Sequence, residues 1–195
     1  MPNAGPLAGL TVLDLSQGIA GPSCGGLFAE HGARVIKVEP PGGEWMRQLG
    51  TRIAGTSAQV LTYNRGKESL ALDVRQPRAR DAVLVLAARA DVVIQSARPG
   101  VMERLGLGDE ALRRINPRLV YGAIRGFGDA RTGKSPYGDW PAYDVVAQAM
   151  GGIMGITSTE PGGQPTKIGP GVGDIVPAMQ CAFGLAAALY RSRIS

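Results

Sequence analysis

Cysteine, histidine and aromatic residues are scarce in this chain of 195 residues. The two cysteines, Cys24 and Cys181, lie far apart in apolar surroundings and lack CxxC spacing, which argues against a structural disulfide. Together with a single histidine, His31, they are too few to build a zinc site, so no metal is expected. Aromatic residues make up only 5% of the chain, too few for a surface that stacks nucleic-acid bases.

Clustered charge and long apolar runs are also missing. The net charge is +5, but the basic residues are scattered and form neither a nucleic-acid footprint nor a polybasic membrane patch. The first sixteen residues lack the pattern of a signal peptide. Pro, Gly and charged residues interrupt every apolar run, so no segment is expected to span a bilayer. We therefore expect a cytoplasmic protein with no nucleic-acid or membrane partner.

Short β-branched runs alternate with helical segments along the chain. This alternation predicts one α/β domain over residues 1–195, with a parallel sheet flanked by helices. Residues 18–26 are expected to form a glycine-rich turn, and residues 44–64 and 126–141 to form loops. The predicted strands are residues 10–16, 34–43, 68–74, 91–97 and 119–128. The predicted helices are residues 25–33, 77–90, 108–117, 143–156 and 175–193.

The glycine-rich segment after the first strand raises the alternative of a nicotinamide or flavin enzyme. Glu39 ends the second strand near the place of a ribose-binding acid. However, the spacing is G-x-x-G-x-x-x-G-G rather than G-x-G-x-x-G, and Pro22 removes a backbone N–H from the turn. Close packing of a helix against a strand also requires small residues, so the glycines do not decide between a dinucleotide site and simple packing.

One carboxylate lies in the segment KIGPGVGDIVPAMQ, which spans residues 167–180. Asp174 precedes a predicted helix, so the residue pattern alone favours a helix N-cap. The neighbouring glycines leave the carboxylate open to close approach by a ligand. Asp144 also stands at a predicted helix start and is interpreted as an acid that favours a helix N-terminus.

Seven segments that run in order along the chain resemble the class III CoA-transferase family, which includes formyl-CoA transferases and the related 2-methylacyl-CoA racemases. The resemblance implies the N-terminal half of an interlocked-dimer fold built on a Rossmann-like parallel sheet. Family members have a second half that supplies a glycine-rich loop over the active site, and these residues contain no counterpart. The segments are LAGLTVLDLSQGIAGP, GARVIKVEPPGGEWMR, NRGKESLALDV, ADVVIQSARPGVMERLGLG, INPRLVYGAIRGFG, PAYDVVAQAMGGIMGIT and GVGDIVPAMQCAFGLAAAL.

The resemblance also implies site residues. The aspartate in the G-D segment before the last helix is the family's nucleophile, which here is Asp174. Among the basic residues, Arg104 has support from the family pattern as a partner for CoA phosphates, whereas Lys37, Arg47 and Arg98 are candidates by charge only. The implied CoA contacts are Gln17, Ala20, Leu72, Ser96, Ala97, Arg104 and Tyr143.

The implied activity is transfer of CoA between an acyl-CoA thioester and a carboxylic acid through a covalent aspartyl intermediate. Coenzyme A is then a substrate, and no tightly bound cofactor is expected. The implied assembly is a homodimer, or a heteromer with a second CoA-transferase chain. A non-catalytic or partner-dependent half-enzyme is one alternative. A racemase is another, although racemases carry a histidine where this chain has Tyr143, and two-sided proton exchange needs a second proton carrier.

Overall fold

The computed structural model describes residues 5–129, 131 and 133–194. These residues form seven strands and eight α-helices, with one 3₁₀ turn at Trp45–Gln48. The strands are β1 (Thr11–Asp14), β2 (Arg34–Glu39), β3 (Arg52–Ile53), β4 (Thr56–Ser57), β5 (Glu68–Ala71), β6 (Val92–Gln95) and β7 (Val120–Ala123). The helices are α1 (Ala20–Glu30), α2 (Ala58–Tyr63), α3 (Pro77–Ala87), α4 (Val101–Arg104), α5 (Asp109–Ile115), α6 (Asp144–Met150), α7 (Ile153–Ile156) and α8 (Val172–Ile194).

The main sheet has five parallel strands in the order β5-β2-β1-β6-β7. If the five strands of this sheet are numbered in chain order, their spatial order is 3-2-1-4-5, which is typical of doubly wound folds. Such folds bind ligands at the point where the strand order reverses. The predicted α/β class with a parallel sheet is confirmed. Within the predicted loop 44–64, β3 and β4 pair in a short antiparallel hairpin, and α2 follows them.

Successive residues of the buried strands face opposite layers of helix. Val12 belongs to the cluster that α1 and α8 cover, and Leu13 belongs to the cluster on the other face. On that second face the sheet is covered by α3 and α5, through Val83 and Leu112. The central strand β1 is therefore apolar on both faces, as expected for a strand of a fully covered parallel sheet.

The predicted glycine-rich turn is helical over most of its length, so that prediction is wrong. α1 begins at Ala20, and residues 20–26 form its first two turns. Small residues let these turns approach the sheet closely: a Cβ added to Gly25 would lie only 2.8 Å from Oδ2 of Asp14. The packing interpretation of the glycines is thus the one that the geometry supports, because the favourable burial of α1 overrides the poor helix propensity of Gly and Pro.

The last helix, α8, is longer than predicted and continues through Pro177 and Gly184. By length and composition alone it is apolar enough to cross a membrane, so the expectation that Pro, Gly and charged residues interrupt every candidate is wrong. A single helix of this kind is weak evidence for a membrane span, because core helices of soluble proteins satisfy the same criteria. Several of its large apolar side chains are exposed in this chain, among them Met179, Phe183 and Tyr190.

The two cysteines meet where α1 packs against α8, and both are free thiols. Interaction with Cys181 and burial together raise the pKa of the Cys24 thiol above its ordinary value. A thiol held in its neutral form is a poor nucleophile, so Cys24 acts as a packing residue.

Candidate active site

A cavity of about 1130 Å³ opens at the carboxyl ends of the sheet strands. This is the edge at which doubly wound sheets bind ligands, because the loops that leave the strands converge there. The cavity is large enough for an extended ligand rather than a single small molecule. Its walls include Gln17 and Ala20 after β1, Leu72 after β5, and Ser96 and Ala97 after β6.

Further parts of the cavity wall come from the second half of the chain. Tyr143 precedes α6, and Asp174 lies in the first turn of α8; both line the same cavity as Gln17. Of the eight predicted site residues, the structure thus places seven around one space. Arg104, the last residue of α4, is the exception. Its side chain is exposed, lies near Gly100 and does not line the cavity.

Asp174 is half-buried and is the third residue of α8, so the prediction that it is the N-cap is wrong. The capping contact comes instead from Asp144, whose Oδ1 accepts the N–H of Gly173 at 2.8 Å. In the described residues no hydrogen bond reaches the Asp174 carboxylate. The capping role therefore belongs to Asp144, and the Asp174 carboxylate remains available within the cavity.

Asp144 is held by a set of donors from neighbouring segments. Nε2 of Gln148 lies 3.0 and 2.9 Å from its two oxygens, and Nζ of Lys167 lies 2.9 Å from Oδ2. Burial alone would raise the pKa of Asp144, but these donors, with the N–H of Gly173, lower it below the ordinary value. Asp144 is therefore a fixed negative charge beside the first turn of α8.

The neighbouring carboxylate, Asp174, is shifted in the opposite direction. Burial raises the pKa of Asp174 above its ordinary value, the charge of Asp144 raises it further, and Lys167 partly opposes both. A Cβ added to Gly171 would lie 3.8 Å from Oδ2 of Asp174 and 3.8 Å from Cγ of Asp144, so the two carboxyl groups face the same small space. A raised pKa makes the Asp174 carboxylate a stronger nucleophile than an ordinary aspartate.

Most cations that line the cavity already have carboxylate partners. Arg75 pairs with Asp73, and Arg125 pairs with Asp129. Among the cavity-lining cations of the described residues, Arg98 is the one without an ion pair. It follows Ser96 and Ala97 and is exposed, which leaves it able to bind an anion in the cavity.

Two of the cations proposed for phosphate by charge alone have other roles. Lys37 is 2% exposed and pairs with Glu44, so the suggestion that it faces a phosphate is wrong. Arg47 donates to both oxygens of Glu39, with distances of 2.7 and 2.6 Å. Burial alone would raise the pKa of Glu39, but these and other donors lower it to about 2, and Glu39 is thereby committed to Arg47 rather than to a ribose.

Comparison with known protein families identifies the family of this chain. The family model described as CoA-transferase family III matches residues 7–194. This chain belongs to CoA-transferase family III.

The described residues contain no group of three or more His, Cys, Asp or Glu side chains arranged to hold a metal ion.

Curated relatives within family III share much of this sequence. A succinyl-CoA:mesaconate CoA-transferase of Haloarcula hispanica is 45% identical and covers 95% of this chain and 48% of its own length. An acetyl-CoA:oxalate CoA-transferase of Acetobacter aceti is 42% identical and covers 95% of this chain and 47% of its own length. The chain spans about half the length of the curated relatives it matches.

A solved structure shows the same fold. The crystal structure of a CaiB/BaiF family protein from Brucella suis superimposes with a TM-score of 0.89 at 38% identity, covering 97% of this chain and 50% of that protein. The five-stranded sheet with its flanking helices is thus the arrangement found in half of a longer family III chain.

Sequence reasoning missed two residues that organise this candidate site. Gln148 is fully buried and connects Asp144 to the segment before Asp174, because its Oε1 accepts the N–H of Ile168 at 3.0 Å. Lys167 lies in the cavity wall and neutralises part of the local negative charge. The four-residue spacing of Asp144 and Gln148, which places both on one face of a helix, is a signal that would have indicated their contact.

The opposed charges around Asp174 allow a direct test of its electrostatics. We expect Asp144→Asn to lower the pKa of Asp174, because it removes a like charge while keeping an oxygen that accepts the N–H of Gly173. We expect Lys167→Met to raise it, because it removes the favourable cation. Carboxyl NMR titration of labelled Asp174 measures both. Equal pKa values in all three proteins would contradict this account and leave burial as the sole cause.

Proposed function

We propose that this chain carries the CoA-binding region and the nucleophile of an enzyme that transfers CoA from an acyl-CoA thioester to a free carboxylic acid. One observation carries the proposal: Asp174 lines the same cavity as six of the seven residues predicted to contact CoA. The volume of about 1130 Å³ suits a long ligand whose reactive end reaches Asp174. Membership in family III supports CoA transfer as the chemistry.

In the proposed reaction the Asp174 carboxylate attacks the thioester carbonyl. The C–S bond breaks, CoA leaves as a thiolate, and a mixed anhydride forms between Asp174 and the acyl group. The thiolate then attacks the aspartyl carbonyl of the anhydride, giving an aspartyl-CoA thioester and releasing the first acid as a carboxylate. An incoming carboxylate follows the same steps in reverse and leaves as the new acyl-CoA. Covalent catalysis divides one difficult exchange into easier steps.

The geometry supports particular roles for individual residues. Lys167 compensates part of the charge of Asp144, so a second anion is able to approach Asp174. Asp144 anchors the first turn of α8 and thereby orients Asp174, and orientation is a large part of catalysis by a weak nucleophile. Arg98, which lines the cavity and has no ion pair in the part of the chain that the structure describes, is the cation best placed to bind a CoA phosphate.

The proposed partners follow from the chain's relatives and its exposed surface. The names of two relatives include mesaconate and oxalate, which supports a small carboxylic acid as acceptor. Ile156 and Phe183 are 85% and 78% exposed, and the chain spans about half of its relatives, which supports burial against a further polypeptide. We therefore propose a single CoA-binding domain that assembles as a homodimer or with a second CoA-transferase chain.

Trapping of the covalent intermediate tests the proposal. We expect incubation with an acyl-CoA, a free acid and hydroxylamine to convert Asp174 into its hydroxamate, detectable by peptide mass spectrometry, since hydroxylamine cleaves anhydrides and thioesters. Without hydroxylamine, the CoA ester of the added acid should accumulate. The control is a thioether analogue of the acyl-CoA, which has no carbonyl to attack. A hydroxamate at another carboxylate, or equal modification with the thioether, would contradict the proposal.

A further inference from the structure

A buried ion pair lies beside the turn that carries Gln17. Nζ of Lys37 and Oε1 of Glu44 are 3.3 Å apart, and the two side chains are 2% and 1% exposed. Lys37 donates to the backbone carbonyl of Ser16, and Glu44 accepts the N–H of Gly18 at 2.8 Å. The pair therefore bonds the backbone on both sides of Gln17.

The pair itself does not line the cavity, whereas the turn it holds does. Gln17 is exposed in the cavity wall, and Gly18 beside it has a left-handed backbone with φ of 84°. Glu44 is followed by Trp45, another cavity residue, and a Cβ at Gly18 would lie 3.2 Å from Cζ2 of that tryptophan. Any shift of the turn would therefore move two parts of the cavity wall at once.

Stability alone does not explain a charged pair at this position. Replacement of a buried ion pair by apolar side chains of similar volume is often neutral or stabilising. An apolar pair, however, has neither a donor for the Ser16 carbonyl nor an acceptor for the Gly18 amide. Lys37 and Glu44 supply both, and such supporting contacts determine how accurately a binding residue is held.

We propose that Lys37 and Glu44 are a positioning pair for coenzyme A. They act through the backbone of residues 16–18, which fixes the Gln17 side chain and the start of α1 in the geometry that binds the ligand. This inference rests on the proposed function, because it assumes that the cavity takes CoA. It adds a role for two residues that never touch the ligand.

The principal test removes both charges together, so that no unpaired charge remains buried. We expect Lys37→Met/Glu44→Leu to keep the native far-UV circular dichroism while the Kd for CoA, measured by calorimetry, rises about 10- to 100-fold, since two backbone contacts of the turn are lost. We expect Lys37→Met/Glu44→Gln to bind more tightly than the first variant, because the glutamine oxygen still accepts the N–H of Gly18.

The matched control is another ion pair with one member on β2. Arg34→Met/Glu68→Leu removes an exposed pair, 59% and 56% exposed, that has no bond to the turn. We expect its Kd for CoA to stay within about twofold of the native value. A measurement on the native chain complements the variants: the amide of Gly18 should exchange at least about 100-fold more slowly than an unstructured amide.

The outcomes separate this inference from the function on which it rests. A native chain without CoA affinity overturns the proposed function, and the inference with it. A native chain that binds CoA, together with a double variant that binds equally well, overturns the inference alone. If the first variant does not fold, an unprotected Gly18 amide in the native chain, or a Gln variant with native affinity, overturns it. Graded loss of affinity from native to Gln variant to Leu variant supports it.

Discussion

Replacement of Asp174 by Asn is expected to lower the rate of CoA exchange by at least about 10³-fold, while the affinity for CoA changes by less than about threefold. Asparagine has nearly the same size as aspartate, so the cavity keeps its shape. Its amide does not form the anhydride that the exchange requires. Exchange between an acyl-CoA and a labelled acid gives the rate, and calorimetry with CoA gives the affinity. A variant that exchanges CoA at the native rate would remove Asp174 from the reaction.

Asp174→Asn also tests how this carboxylate affects the stability of the folded protein. Because the pKa of Asp174 is raised in the folded protein, its stabilising contribution is fully present below the ordinary aspartate pKa and is lost as pH rises through the raised value. At neutral pH the ionised group is therefore unfavourable to the fold, and Asp174→Asn should have a Tm equal to or slightly above the native one. Asp81→Asn, on the exposed surface of α3, is the control and should change neither rate nor Tm.

The sheet was accessible to sequence reasoning because its signal is local. Each of the five predicted strands contains a strand of the main sheet, since a buried parallel strand is a short apolar run between turn residues. Helix α3 begins at Pro77 as predicted, because proline suits the first turn of a helix. The elements that were missed are short: α4 and the strands of the β3–β4 hairpin have two to four residues, and α2 has six. Elements of that length have no periodicity to detect.

The buried charges were beyond the reach of local patterns. Lys37 looks like the polar residue of an amphipathic strand, and Glu44 looks like a loop acid. Only the fold shows that they meet in the interior. The same is true of Asp144, which the pattern treats as an acid of its own helix, whereas the structure shows it bound to the first turn of another. Contacts between residues distant in sequence decide these roles, and no spacing rule encodes them.

The site residues could be placed together from sequence because the fold and the resemblance agree. Parallel strands bring the residues after each strand to one edge, which accounts for Gln17, Leu72 and Ser96. The resemblance supplied Asp174 and Tyr143, which local patterns alone would leave as a cap and a surface aromatic. Arg104 does not line the cavity within this chain, and its predicted role stays a prediction.

Two basic residues near the start of β5 offer the sharpest test of the buried network. Lys67 has a side chain that is 1% exposed, and its Nζ lies 2.8 Å from Oδ2 of Asp14. The same ammonium group donates to Oδ1 of Asn64 at 2.9 Å and to the carbonyl of Pro22 at 2.7 Å. Arg65, two residues earlier, is 75% exposed and pairs only at the surface with Glu30.

We expect Lys67→Met to lower the free energy of unfolding by about 3–5 kcal/mol, because it deprives the buried Asp14 carboxylate of its closest cation. Arg65→Met should lower it by less than about 1 kcal/mol, because an exposed pair in water contributes little. Urea unfolding followed by circular dichroism measures both. Equal decreases in the free energy of unfolding for the two variants would show that Lys67 does not stabilise the charged form of Asp14.

A second variant separates the buried charge from the packing of the lysine chain. In Lys67→Met/Asp14→Leu both members of the pair are apolar, so the penalty for an unpaired carboxylate is removed and part of the lost stability should return. Full recovery is not expected, because Asp14 also accepts the N–H of Ser16 at 3.0 Å. The leucine would leave that N–H without this partner. Ser16 immediately precedes Gln17 in the cavity wall. The buried network around Asp14 and the turn that lines the cavity are therefore linked through Ser16, and damage to the network should loosen the turn.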